Sequence, residues 1–317
     1  MKRRGFLAAG LGLAACNRSS RKRVAVIPKG TSHIFWLTVQ AGSNAAGQEF
    51  GLDILWNGPA QETDFARQIQ IVDSYIAQRV DGIVLAACDR KALVAVVDRA
   101  MAAGIPVTVF DSGLDSENFT SYVATDNKEA GRMAARELAR LVGGKGKVGM
   151  VRHVPGSVST TDREDGFREV IGKEFAGIQI AAEQFGMSDR GKSMAAAENI
   201  QTAHPDMVAF FCSTEPSTTG TALALKSRGL VGKVKLVGFD SNEAMIAEMK
   251  AGVIQALVVQ DPFKIGFEAV RMIHEKLSGR APVKRMDLEG KVVTPENLAT
   301  PEVQQLLNPD LKKYLKG

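Results

Sequence analysis

The chain has 317 residues, 45% of them hydrophobic and 24% charged, which excludes a disordered or fibrous protein and is enough for two lobes with separate cores. Its formal net charge of +5 falls to +2 once the first fifteen residues, with Lys2, Arg3 and Arg4, are set aside. With no basic stripe and no helix-turn-helix pattern, nucleic acid is excluded as a partner.

Lys2-Arg3-Arg4 followed by the apolar run from Gly5 to Ala15 reads as an export signal, far shorter than the roughly 20 residues that span a bilayer. Leu13-Ala14-Ala15-Cys16 resembles a bacterial lipobox, in which Cys16 becomes the acylated first residue, and Arg3-Arg4-Gly5-Phe6-Leu7 resembles a twin-arginine signal. Asn17 to Arg23 would be a polar tether. An acylated terminus holds a protein at a membrane surface by burying methylenes at about 0.8 kcal/mol each.

From Val24 onward, apolar runs of strand length alternate with helical periodicity. Val24–Ile27 is a strand, and Pro28 to Ser32 a turn; about 35–50 is a helix. The next strand is 52–56, followed by a helix with Phe65, Ile69, Val72 and Ile76 on one face. Strand 80–87, helix 93–100 and strand 105–110 complete a first series, which Tyr122-Val123-Ala124 closes. The second series runs through helix 127–142, strand 148–151, helix 160–174, strand 178–182, helix 189–203, strand 207–212, helix 216–228, strand 234–239, helix 242–251 and strand 253–259. Runs apolar on both faces imply parallel sheets covered on both sides. Helix 262–278 then trails the last strand, as a chain returning to the first lobe would.

The loop after the first strand, with His33, Phe35 and Trp36, lies where open α/β sheets bind ligands. Two aromatics beside a polar ring suit a ligand with apolar faces and a polar edge, such as a sugar; ordinary core packing at a helix start is the alternative. Polar residues recur at strand ends: Asp89, Asp111, Thr214, Glu215, Asp240 and Gln260. Facing rims of such groups would bind hydroxyls, with Arg163 at a helix start adding a planar fork of donors. Each acidic residue taken singly also reads as a helix N-cap. Cys88 and Cys212 belong to different lobes and read as buried thiols. His33, His153, His204 and His274 have no metal spacing, and no nucleophile elbow or Walker loop is present, so neither an enzyme nor a cofactor is expected.

Taken together, several segments resemble the periplasmic sugar-binding proteins of the ribose-binding type, from Val24 to about Asn297. They are Ser32-His33-Ile34-Phe35-Trp36, Val80-Asp81-Gly82-Ile83-Val84-Leu85, Gly104-Ile105-Pro106-Val107, Ala124-Thr125-Asp126-Asn127, Arg163 before Gly166-Phe167, Val237-Gly238-Phe239-Asp240, and Gln260 before Pro262. The resemblance implies two Rossmann-like lobes joined by three crossovers, near Thr125-Asp126, Gln260-Asp261 and Leu288. It assigns 24–125 with 261–288 to an N-terminal lobe and 126–260 with 289–317 to a C-terminal lobe, after a signal peptide 1–15 and a lipidated tether 16–23. The family's binding positions fall on His33, Phe35, Trp36, Asp111, Arg163, Thr214, Asp240 and Gln260, with Arg190 as a further donor. Ala86 and Thr214 stand where ribose binders carry Asn, which argues against ribose itself.

The resemblance implies an exported lipoprotein of the periplasm or cell envelope, a monomer without metal or cofactor. It would capture a sugar or polyol by hinge closure and deliver it to the permease subunits of an ABC importer. The alternative is a periplasmic receptor signalling to a membrane kinase or chemoreceptor. Truncation of Trp36 to Ala is expected to remove most affinity while sparing the fold.

Overall fold

The computed structural model describes residues 21–315; the expected signal peptide, and Cys16 with most of the tether, lie outside the described residues. In chain order the elements are β1 (Arg23–Ile27), α1 (Ile34–Phe50), β2 (Asp53–Trp56), α2 (Phe65–Ala77), β3 (Gly82–Leu85), α3 (Val94–Ala102), β4 (Val107–Phe110) and β5 (Ser121–Thr125). There follow α4 (Asn127–Leu141), β6 (Gly146–Arg152), α5 (Val158–Glu174), β7 (Ile178–Phe185), α6 (Arg190–Ala203), β8 (Met207–Cys212), α7 (Glu215–Ser227), β9 (Lys235–Phe239), α8 (Glu243–Lys250) and β10 (Ala256–Val259). The chain ends with α9 (Pro262–Leu277), β11 (Arg285–Leu288), β12 (Lys291–Val293) and α10 (Pro301–Leu307).

Two six-stranded sheets result, ordered β11-β5-β4-β3-β1-β2 and β12-β10-β9-β8-β6-β7. The first is wholly parallel, while in the second β12 runs antiparallel to β10. Strands β3, β4 and β10 are buried along their whole length, as continuous apolar runs covered on both faces must be. Each sheet therefore has two apolar layers. In the first lobe one layer contains Ile83, Leu85 and Val107, the other Val26, Trp36 and Phe110. In the second lobe Phe210 and Leu236 belong to one layer, Phe167 and Phe211 to the other.

The chain passes between sheets from β5 to α4, from β10 to α9 and from β11 to β12. Helix α9 does return to the first lobe, where it packs along α1. That approach is close enough for a Cβ on Gly42 to lie 1.9 Å from the Phe263 carbonyl oxygen, and one on Gly266 2.2 Å from that of Val39. Elements β11, β12 and α10 had no expected counterpart. They are short, and the alternating charged residues of Arg285–Leu288 carry little apolar signal. Beyond α10, whose Val303 is buried in the second lobe, the chain crosses to the first: Asn44 Nδ2 donates to the Tyr314 carbonyl at 3.0 Å, and the Phe263 and Tyr314 rings lie 5.5 Å apart. Among the described residues, no helix is long and apolar enough to cross a membrane.

Candidate functional site

The C-terminal ends of both sheets face each other across a cleft. From the first lobe, the loop after β1 carries Lys29, a long cation only 4% exposed. Its Nζ lies 3.1 Å from Asp111 Oδ2, at the end of β4, and 3.8 Å from Glu62 Oε2. Glu62 is itself buried and is bound by Trp36 Nε1 at 2.9 Å. Burial alone would lower the Lys29 pKa, and the carboxylates of Asp111 and Glu62 more than offset it, so the net shift is upward. Burial likewise opposes ionisation of Glu62, but Lys29 and the hydrogen bond from His153 hold its carboxyl far below the usual carboxylate range. These loops are fixed by Gln68 on α2. Its buried amide donates to the carbonyls of Pro28 and Ala86 at 2.9 and 2.7 Å and accepts from the Cys88 amide at 2.9 Å.

From the second lobe, Arg163 on α5 is 2% exposed, with its guanidinium 4.3 Å from the centre of the Phe239 ring. Nε donates to Asn127 at 2.8 Å and Nη1 to the Ser213 carbonyl at 3.0 Å, which leaves the Nη2 end for the cleft. Asp240, after β9, accepts from Gln260 Nε2 at 2.7 Å and from the Glu215 amide at 3.0 Å. His153, after β6, is held by Glu164, which also accepts from Arg152 and Ser213.

The two acidic strand ends share an unusual backbone: φ is +56° at Asp111 and +64° at Asp240, the left-handed region that non-glycine residues rarely occupy. Corresponding positions in the two lobes thus use the same strained turn, a feature that clusters at ligand sites. Contacts also run directly between lobes. Glu62 Oε2 and His153 Nε2 lie 3.0 Å apart, Lys29 Nζ and Ser159 Oγ 3.3 Å, and His33 Nε2 and Ser188 Oγ 3.2 Å. The cavity they enclose is about 30 Å³, room for about two waters. Two buried atoms at this centre have no hydrogen-bond partner, Glu215 Oε2 and His153 Nδ1, and Asp111 Oδ2 has only its ion pair with Lys29. Each carboxylate oxygen can accept a hydrogen bond from a ligand hydroxyl, and the imidazole Nδ1 can exchange one with it.

Eight of the nine residues expected from the sequence line this one cavity: His33, Phe35, Trp36, Asp111, Arg163, Thr214, Asp240 and Gln260. Arg190 does not; it stands at the edge and pairs with Glu215 at 2.6 Å. Trp36 is 2% exposed and belongs to the core, packed edge-on to Phe35 and Phe110, so its truncation would leave a cavity and lower stability as well as altering the cleft wall. Thr214 caps α7 by exchanging hydrogen bonds with Ser217. Asp89 serves the local turn, accepting from the amides of Lys91 and Ala92. Lys29, Glu62 and His153 escaped the sequence reading. A lysine in a Pro-Gly turn and a glutamate before a helix look solvated, and only the fold brings them together. Cys88 and Cys212 are buried and unpaired in different lobes; burial pushes the Cys212 thiol up to about 12.

The segment 24–281 matches the model of the periplasmic binding protein domain. The chain belongs to this family. A D-ribose/D-allose-binding protein of Pseudomonas aeruginosa is 30% identical over 288 residues, 88% of this chain and 89% of that protein. The ribose import binding protein of Bacillus subtilis is 28% identical, covering 82% of this chain and 83% of its own length. Among solved periplasmic binding proteins, a carbohydrate transporter solute-binding protein of Agrobacterium radiobacter in complex with D-arabinose superposes with a TM-score of 0.89 at 29% identity, over 92% of this chain and all of that one. An ABC transporter solute-binding protein of Agrobacterium vitis with bound D-fucose gives 0.87 at 33% identity, over 90% of this chain and all of that one. The family is a non-enzymatic, sugar-binding component of transport systems.

Proposed function

We propose that this protein captures a neutral sugar or polyol in the cleft and hands it to an ABC importer. The observation that carries the proposal is the buried ring of charges around one small cavity, to which both lobes contribute. Lys29 and Arg163 supply donors; Asp111, Glu62, Asp240 and Glu215 supply acceptors, and the half-buried Phe35 borders them. A hydroxyl both donates and accepts, so a polyhydroxylated ring satisfies mixed groups that a purely anionic or cationic ligand would leave unpaired. The relatives and structures with sugars support this reading.

At about 30 Å³ the cavity lies far below the roughly 300 Å³ of an ordinary ligand pocket. The ligand therefore enters by separating the lobes and takes over their cross-cleft contacts when they close, which is hinge closure driven by differential contacts. The lobes divide at Thr125-Asp126, Gln260-Asp261 and Leu288, and a lipid on Cys16 would anchor the mature chain in the cell envelope. The test is a thermal-shift screen with pentoses, hexoses, deoxysugars and inositols. A ligand at a hundred times its dissociation constant adds about 2.7 kcal/mol of stability, a readable shift. Silence from every sugar and polyol, with folded protein, would overturn the proposal.

A further inference from the structure

A larger chamber lies against the inner cavity. Its volume is about 890 Å³, within the roughly 300 to 1,000 Å³ of pockets that hold small organic ligands, and Phe35, Glu215, Asp240 and Gln260 border both spaces. Glu215 forms the polar part of the shared wall. Its Oε1 gathers Arg190 Nη2 at 2.6 Å, Asn242 Nδ2 at 2.7 Å and Thr219 Oγ1 at 3.1 Å, all residues of the chamber. Its Oε2 is buried without a hydrogen-bond partner and lies 3.6 Å from Nδ1 of His33, a residue of the inner cavity. A buried acceptor left bare forfeits the desolvation of that atom, so the wall is built for a donor arriving from outside the protein.

The chamber has two characters. Arg190, Asn242 and Ser241 contribute polar groups to it and Ile34, Ile246 and Leu307 apolar ones, and the C-terminal segment from Gln304 to Leu311 forms part of its lining. A second sugar ring matches that mixture, with hydroxyls at its edge and carbon–hydrogen faces.

Resting on the sugar-binding reading above, we infer that the ligand carries two rings joined by a glycosidic link. The first ring occupies the inner cavity, a hydroxyl near the link donates to Glu215 Oε2, and the second ring lies in the chamber beside Arg190. Arg190 thus acts on the second ring and not on the first.

The experiment is calorimetry of the purified protein with disaccharides and, separately, their constituent monosaccharides. At least one disaccharide is expected to bind about tenfold or more tighter than its parts, a difference of about 1.4 kcal/mol. Ala247→Trp, and independently Ala244→Trp, place bulk in the chamber at exposed positions outside the inner cavity. Each should erase that margin and leave monosaccharide affinity unchanged. Disaccharides that bind no tighter than monosaccharides, or a margin that survives both substitutions, would overturn the inference and leave the sugar reading standing. Failure of monosaccharides and disaccharides alike would overturn the sugar reading itself.

Discussion

At the scale of single residues, the centre of the site is Glu62, buried against a cation, two imidazoles and an indole N–H. Its pKa is depressed in the fold, so its contribution to stability is present above the unfolded carboxyl value of about 4.3 and is lost as pH falls from there towards the folded value. Glu62→Gln keeps the shape and removes one of the two carboxylates that compensate Lys29, leaving Asp111. Breaking a buried pair from one side costs about 3–5 kcal/mol. The variant should therefore lose about that much in denaturant unfolding at pH 7, and the gap to the wild type should narrow at pH 3, where the carboxyl of the unfolded wild-type chain takes up a proton that the folded one does not. A gap that stays constant from pH 7 to pH 3 would show that the Glu62 charge does not stabilise the fold.

At the scale of elements, the site is held by helix pairs that touch backbone to backbone. A Cβ on Gly131 of α4 would lie 2.0 Å from the Arg163 carbonyl oxygen, and one on Gly166 of α5 would lie 2.1 Å from that of Lys128. The same contact that locks α4 to α5 therefore fixes where Arg163 starts its reach into the cleft. Gly131→Ala pushes against main chain that has no rotamer to yield, at a cost of about 1–3 kcal/mol or more. It should weaken sugar binding as well, because Asn127 and Arg163, joined at 2.8 Å, sit on the two helices being separated. Stability lost without any change in affinity would separate packing from positioning. This level also shows what the sequence could express. The βα alternation was legible because apolar periodicity records burial one element at a time, and the polar strand ends were legible because a sheet sends them all to one rim. The Gly166 in the Arg163 motif was visible, but its purpose was not, since a close approach belongs to two segments. Glu62 and His153 meet only when the lobes do, and the left-handed turns at Asp111 and Asp240 leave only a weak trace in residue type, since Asp tolerates that region but seldom occupies it.

At the scale of the whole molecule, the two lobes are joined by more than the three crossovers. From Asn308, at the end of α10, the chain runs to Tyr314, which is docked on Asn44 and Phe263 of the first lobe. Six residue steps of extended chain reach at most about 22 Å, so while Tyr314 stays docked the tail sets an upper limit on how far the lobes can part. Under the proposed hinge closure, the three crossovers alone would permit opening freely, whereas cross-cleft contacts such as Glu62 with His153 would hold the closed form. Deleting residues 310–317 should therefore act on one end of the motion only. In X-ray scattering, the shortened protein is expected to show a larger radius of gyration than the full chain without sugar and the same radius with saturating sugar. Its affinity should fall, because a wider open state raises the free energy that ligand contacts must supply to close it. Equal radii without sugar would mean that the tail follows the lobes without restraining them. A difference that persists in saturating sugar would place the tail's effect on the closed form instead, where it lines the chamber beside Glu215.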